Sequence, residues 1–266
     1  MKETLLCCRI TAQEKGLYRL CHDGVEQAAQ VSGKFQYEAL GPSDYPTVGD
    51  EVLADLNGGG QAVIHKVLPR KSLFLRKAAG TAREEQPVAA NVDILFLCMA
   101  LNNDFNLRRL ERYLAAAWNS GATPVVVLTK ADLCGNPSEK VAAVEEAAPG
   151  TDVLLTSAAQ EDGIRPLLPY LTPGRTVAFV GSSGVGKSTL MNGLLGKEIL
   201  ATGGLRNDDR GRHTTTRRQM FFLPGGAALI DTPGMRELGL WDSESGLETA
   251  FADIEALARQ CRFQDC

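Results

Sequence analysis

Over the first 69 residues, hydrophobic and polar positions alternate in short bursts. Gly16-Leu17-Tyr18-Arg19-Leu20, Lys34-Phe35-Gln36-Tyr37-Glu38-Ala39-Leu40, Asp50-Glu51-Val52-Leu53-Ala54-Asp55 and Ala62-Val63-Ile64-His65-Lys66-Val67 each carry the period of two that a half-buried strand requires. Gly41-Pro42 and the run Gly58-Gly59-Gly60 separate them as turns. Short strands between turns predict an all-β, OB-like barrel over residues 1–69. A basic, partly polar connector follows, residues 70–90. Then the pattern changes. Asn91-Val92-Asp93-Ile94-Leu95-Phe96-Leu97-Cys98-Met99-Ala100 is almost continuously apolar, as a parallel strand covered on both faces should be. Pro124-Val125-Val126-Val127-Leu128 reads the same way, and 152–156 and 176–180 are shorter strands. Residues 106–120 space Leu107, Leu110, Tyr113, Leu114 and Ala117 at helical intervals, and 137–148 is a second helix. Strand and helix in alternation predict an α/β domain with a parallel sheet over 91–240. In the last stretch, 241–266, Leu247, Phe251, Ile254 and Leu257 share one helical face.

Composition narrows the function classes. The 266 residues are 44% hydrophobic and 23% charged, which supplies a real core and excludes wholesale disorder. Lys plus Arg is 28 and Asp plus Glu is 32, a net charge of −4, so a uniformly basic nucleic-acid coat is excluded while a local basic patch is not. No apolar run approaches the ~18 residues that span a bilayer, and Met1-Lys2-Glu3-Thr4 leads into too short an apolar stretch for a signal peptide. A cytoplasmic protein without a membrane partner is expected. The seven cysteines, an odd number with Cys7 and Cys8 adjacent, do not suggest a disulfide framework, and Cys98 falls in a core strand.

The first chemistry lies at Gly181-Ser182-Ser183-Gly184-Val185-Gly186-Lys187-Ser188, which matches G-x-x-x-x-G-K-[ST] between a strand and a helix-capable segment beginning at Thr189. Such a loop curls backbone N–H groups around phosphate oxygens at a helix N-terminus. Lys187 is expected at the β and γ phosphates, and the Ser188 hydroxyl on Mg²⁺. The base is addressed by Thr129-Lys130-Ala131-Asp132, at the end of a predicted strand, where open α/β sheets bind ligands. A carboxylate at Asp132 can accept from both N1–H and the 2-amino group of guanine. Adenine has no such donors, and a desolvated acceptor left without them is costly. The stem of Lys130 would cover the base, and the strand end Thr156-Ser157-Ala158 could bring the Ala158 N–H to guanine O6.

These motifs resemble those of the translation-factor-like GTPases, but their order is rotated. The base motif (129–132) and Ser157-Ala158 precede the phosphate loop (181–188), and Asp231-Thr232-Pro233-Gly234 comes last. That order is similar to a circularly permuted GTPase. With a barrel in front and cysteines behind, the whole chain resembles the ribosome small-subunit-dependent GTPase A family. The resemblance implies GTP and GDP as ligands, Mg²⁺ as cofactor, and a slow GTP hydrolase that acts in small-subunit maturation. It implies the small ribosomal subunit and its rRNA as partners; a monomer is expected. Asp231 would lie in the outer coordination shell of Mg²⁺, and the Gly234 N–H would sense the γ phosphate. Gly211-Arg212-His213-Thr214-Thr215-Thr216 fits the family's other switch, with Thr215, or Thr214 beside it, on Mg²⁺. Where many GTPases place a water-orienting Gln, this chain has Met235. Either hydrolysis is intrinsically slow or another group assists. His213, the only imidazole in the switch, is the catalytic candidate beside Lys187 and Gly234, and its alternatives are a plain loop residue or an RNA contact.

Residues 205–218 hold five Arg against two Asp, and Arg70, Lys71, Arg76 and Lys77 mark the connector, so both are candidate RNA contacts. Phe35, Tyr37 and Tyr45 are candidates for base stacking or for core. Cys261 and Cys266 match the first two ligands of the family's C-x₄-C-x-H-x₅-C zinc motif. The expected His and third Cys do not follow, so a truncated motif with weak Zn²⁺ binding is expected. Two rivals stay open: a P-loop ATPase or kinase, and a GTP-gated RNA-binding module with negligible turnover.

Overall fold

Along the N-terminal strands every second side chain turns inward, and the inward set closes on itself. The computed structural model describes residues 5–14, 16–56, 60–77, 85–102, 104–160, 162–200 and 218–232. Strands β1 (Leu6–Glu14), β2 (Leu17–His22), β3 (Val25–Val31), β4 (Glu51–Asp55) and β5 (Ala62–Val67) pair in the order β1-β2-β3-β5-β4. β4 pairs back onto β1, which makes a closed five-stranded barrel. Cys8, Ile10, Leu20, Ala29, Val52, Ala54, Ala62 and Ile64 fill it. The expected OB-like barrel is present.

One predicted strand is not. Residues 34–40 alternate, yet Gly33–Glu38 form a helix, α1. Ser32 decides this locally, because its hydroxyl accepts from the Phe35 N–H at 3.1 Å and satisfies a first-turn donor. Phe35 then packs on the barrel and meets Tyr45 edge to face at 5.7 Å, while Tyr37 is 91% exposed. Of the three candidate stacking aromatics, two are therefore packing residues.

The stretch read as a connector contains an antiparallel pair, β6 (Leu73–Lys77) and β7 (Glu85–Ala90). Its basic residues are not all available to RNA. Arg70 grips the fully buried carboxylate of Asp50 through Nε at 2.7 Å and Nη2 at 2.8 Å, and also donates to the carbonyls of Ser43 and Tyr45. Lys71 pairs with Asp93 at 2.5 Å. Arg70 therefore serves the fold, while Lys71 stays half exposed.

The α/β region runs β8 (Ile94–Ala100), α2 (Leu107–Ser120), β9 (Thr123–Thr129), α3 (Pro137–Ala147), β10 (Val153–Leu155), β11 (Thr176–Val180), α4 (Lys187–Leu195), β12 (Arg218–Phe222) and β13 (Ala228–Asp231). Spatial order is β10-β9-β8-β11-β13-β12, parallel except for β12. β8 is buried throughout. Its Leu95, Leu97 and Met99 pack with Leu110, Tyr113 and Leu114 of α2, and its Ile94, Phe96 and Cys98 pack with Leu190 and Met191 of α4. Two covered faces explain the continuous apolar run. α2 starts where the Asn106 side chain accepts from the Arg109 N–H at 2.9 Å, and ends at Gly121 in the left-handed region.

Barrel and α/β region share one eleven-stranded sheet, because β1 pairs with β12 through Ala12–Gln219 and Gln13–Arg218. The seam is tight. At Gly49 (φ +93°) a Cβ would stand 2.1 Å from the Ala90 carbonyl oxygen, so only glycine fits. Arg9 of β1 reaches across to the Thr176 hydroxyl at 2.9 Å, and Asn91 donates to the Gly49 carbonyl at 3.0 Å. Among the described residues, no helix is long and apolar enough to cross a membrane.

Candidate active site

The chain passes from β8 through β9 to β10 on one side of the sheet, then returns to place β11 on the other side of β8. That reversal opens a crevice at the C-terminal ends of the strands, where ligands bind in open α/β sheets. Thr129 ends β9, Thr156 and Ser157 follow β10, Gly181 follows β11, and Asp231 ends β13. Four motifs scattered over a hundred residues of sequence thus reach one rim.

Two hydrogen bonds join them. Thr129 Oγ1 donates to the Val185 carbonyl at 2.5 Å, tying the base motif to the phosphate loop. Ser157 Oγ donates to Asp132 Oδ1 at 2.5 Å, tying the two base segments to each other. Lys130 takes the left-handed conformation (φ +58°, ψ +39°) and turns the chain out of β9 into a 3-10 turn, Ala131–Leu133. The Ala131 N–H then bonds the Thr156 carbonyl at 3.1 Å, while Ala158 is exposed beyond Ser157. Asp132 therefore sits at the solvent edge with its carboxylate held by a hydroxyl that a ligand donor can replace.

The phosphate loop is shaped by its glycines. At Gly181 (φ +153°) a Cβ would meet the Cys98 carbonyl oxygen at 2.4 Å, so the loop's first residue presses directly on β8. Gly186 (φ +106°) opens α4, whose first residue is Lys187. Lys187 Nζ donates to the carbonyls of Gly181 and Ser182 at 2.6 and 2.8 Å, so the loop's own cation is folded across it. Ser183, Gly184 and Thr189 are exposed, and Val185 is buried as the loop's anchor. Burial holds the Asp231 carboxyl above its ordinary pKa, and the Lys187 charge and the Thr232 N–H oppose that shift. Asp231 thus lies within the field of Lys187. The Ser188 hydroxyl at the head of α4 and the Asp231 carboxylate at the end of β13 are hard-oxygen groups of the kind that suit Mg²⁺ completed by phosphate oxygens. Beneath the loop, burial pushes the Cys98 thiol up to about 12, which makes it inert packing.

His213, Thr214, Thr215, Gly234, Met235, Cys261 and Cys266 lie outside the described residues, as does the arginine cluster except for Arg218. Arg218 Nη1 donates to the Pro87 carbonyl at 2.5 Å, at the seam with the barrel. It borders a cleft of about 420 Å³ lined by Gln13, Tyr18, Tyr45 and Pro87, away from the rim. Among the described residues no three His, Cys, Asp or Glu side chains gather to hold a metal.

Sequence reasoning missed Asn192. Its amide donates to the Leu200 carbonyl at 2.8 Å and accepts from the N–H groups of Ile199 and Leu200, fastening the chain that leaves α4. The signal was a lone polar residue in Leu190-Met191-Asn192-Gly193-Leu194-Leu195, buried although polar.

The profile of the RsgA GTPase family matches residues 67–241. The chain belongs to the RsgA GTPase family. A Lactiplantibacillus plantarum protein, small ribosomal subunit biogenesis GTPase RsgA 2, is 51% identical over 259 residues, covering 97% of this chain and 73% of that protein. A Methanosarcina acetivorans relative, small ribosomal subunit biogenesis GTPase RsgA, is 46% identical over 267 residues, covering 100% and 71%. Among solved structures, YjeQ from Thermotoga maritima superposes with a TM-score of 0.71 at 26% identity, covering 99% of this chain and 86% of that one. YloQ, described as a circularly permuted GTPase, has a TM-score of 0.66 at 21% identity, covering 99% and 83%, and supports the fold. As a member of the RsgA GTPase family with a permuted fold, the chain is a GTP hydrolase.

Proposed function

We propose that this GTPase hydrolyses GTP at the rim and couples hydrolysis to maturation of the small ribosomal subunit, as the names of its relatives indicate. The observation that supports the site is the Thr129–Val185 hydrogen bond, which ties the base motif to the phosphate loop. In this reading Asp132 accepts from guanine, Lys130 covers the base, and Ser157 and Ala158 complete the pocket. Residues 181–189 wrap the phosphates. Lys187 leaves its loop carbonyls for the β and γ phosphates, where its charge offsets what develops on the leaving oxygen. Ser188, Thr215 and Asp231 would hold Mg²⁺, which when bound neutralises phosphate charge. Gly234 would sense the γ phosphate, and His213 would approach the attacking water. With Met235 in place of a water-orienting side chain, turnover is slow until the subunit orders the switch.

Support for an rRNA partner is the five-arginine switch segment, which a phosphate backbone suits. The chain would act in the cytoplasm as a monomer, with residues 1–69, 70–90, 91–240 and 241–266 as barrel, connector, GTPase domain and C-terminal segment. Cys261 and Cys266 would supply two of the four ligands that structural Zn²⁺ takes.

The test is GTP turnover with and without purified small subunits, for the native chain and His213→Ala. The expected result is a rate raised by subunits, with loss in the variant confined to that raised rate. A rate unmoved by subunits sinks the coupling. Tight ATP binding without GDP binding would return the ATPase reading.

A further inference from the structure

The chain leaves β10, turns at Ser157 and is back beside that residue at Gly163. Backbone groups close the turn. The Ser157 N–H donates to the Gly163 carbonyl at 3.0 Å, the Gln160 N–H to the Ser157 carbonyl at 3.2 Å, and the Gly163 N–H to the Gln160 carbonyl at 3.1 Å. The approach leaves no room for a side chain. A Cβ at position 163 would stand 1.8 Å from the Ser157 carbonyl oxygen and 2.8 Å from its carbon, and neither backbone atom can swing aside. Among the described glycines no other is pressed so hard. What it presses on belongs to the rim. Ser157 is 2% exposed, and its hydroxyl is the donor that holds Asp132 at 2.5 Å, while Ala158 beside it is exposed. The far side of the turn is fixed as well. Ile164 packs on the core that contains Leu190 and Met191 of α4, and a Cβ on Gly193 of that helix would stand 3.1 Å from Ile164 Cδ1. One short segment thus touches Asp132 at one end and, at the other, rests on the helix that Lys187 opens.

We propose that Gly163 is a positioning residue that sets the preference for guanine: by letting the Ser157 backbone close against it, it holds the Ser157 hydroxyl at Asp132 and presents the Ala158 N–H to the base before any nucleotide arrives. The role deepens the GTPase reading and rests on Asp132, Ser157 and Ala158 as the base pocket. Gly163 touches no nucleotide itself. It fixes the backbone that does, and a loop already in shape loses less freedom on binding. Its removal acts on the base end alone, because the phosphate loop keeps its own glycines and its own tie to Thr129. The sequence hides the role, because Gly163 reads as an ordinary turn glycine and nothing local shows that Ser157, six positions earlier, lies against it.

The test compares the full chain with Gly163→Ala, by titration of GDP and ADP and by steady-state GTP hydrolysis. The variant should bind GDP about ten- to a hundredfold more weakly and ADP no worse than the native chain, so its preference for guanine shrinks by the same factor. KM for GTP should rise while kcat at saturation holds, as when binding is lost equally from ground and transition states. Native GDP affinity in the variant overturns the proposal. So do equal losses of GDP and ADP, or a fall in kcat at unchanged KM, which would mark general damage. If Gly163→Ala does not fold, amide exchange in the nucleotide-free native chain decides. A protected Ser157 N–H supports a turn closed in advance; one that exchanges as freely as the Ala158 N–H overturns it. A native chain that does not prefer GDP to ADP overturns the base pocket itself, a failure distinct from a native preference that Gly163→Ala leaves intact.

Discussion

The barrel seam and the nucleotide rim are both polar places in an apolar molecule, and they satisfy their polar groups in opposite ways. At the seam, the Asp50 carboxylate is wholly buried and takes two hydrogen bonds from Arg70 and a third from the Thr47 N–H at 2.7 Å. Nothing from solvent is needed to complete it. At the rim, Lys187 rests on loop carbonyls and Asp132 rests on Ser157, with both sites open to water. Each rim group is held by a neighbour that a phosphate or a base can replace. A buried pair completed within the protein gives permanence; a partly exposed group with a provisional partner gives exchange.

The largest expected effect breaks the permanent half. Arg70→Ala leaves the Asp50 charge buried and unpaired, and removal of one partner of a buried pair costs ~3–5 kcal/mol. Urea unfolding at neutral pH should report that loss. A change below about 1 kcal/mol would class the pair with surface ion pairs and erase the contrast.

Lys187→Ala breaks the other half. It should lower GTP turnover about 10²–10³-fold, the scale of one lost charge-stabilising donor in a reaction centre. Stability should move by no more than about 0.5 kcal/mol, because Lys187 is only half buried and water can take its place at the loop carbonyls. Turnover within a factor of three of native would remove Lys187 from the chemistry.

This contrast also marks what was legible in the sequence. The α/β elements were, because β8 and β9 are buried on both faces and α2 repeats its apolar residues at helical spacing. The rim motifs were legible because phosphate loops depend on residue types at fixed local spacing. The seam was not. Arg70 reads as a surface cation until the fold brings Asp50, 20 residues away, to its guanidinium. α1 was misread because alternation outweighed a single capping serine. β12 was missed because five residues beside an arginine-rich run carry too little pattern, and its pairing with β1 joins positions 205 apart.

Asp132→Ala sharpens the comparison within the rim. Loss of hydrogen bonds to a charged acceptor should weaken GDP ~10–100-fold, from about 1.5–3 kcal/mol. ATP, which has no donor for Asp132, should bind no worse than to the native chain. Isothermal titration of both nucleotides separates base reading from general damage, since equal losses for GDP and ATP would mean a distorted loop.

The smallest effect tests whether the two halves are independent. Ser32→Ala removes the cap of α1 on the barrel, far in sequence from every rim residue, and should cost ~1 kcal/mol of unfolding free energy. It touches no group that meets nucleotide, so GDP affinity should stay native. Combined with Lys187→Ala, the two changes should add: stability should fall by the Ser32 loss and turnover by the Lys187 loss, each within about 0.5 kcal/mol of its single value. Coupling beyond that would mean that the barrel's edge communicates with the phosphate loop. The route open to it is the shared sheet, from β1 through β12 to β13, whose last residue, Asp231, lies in the field of Lys187.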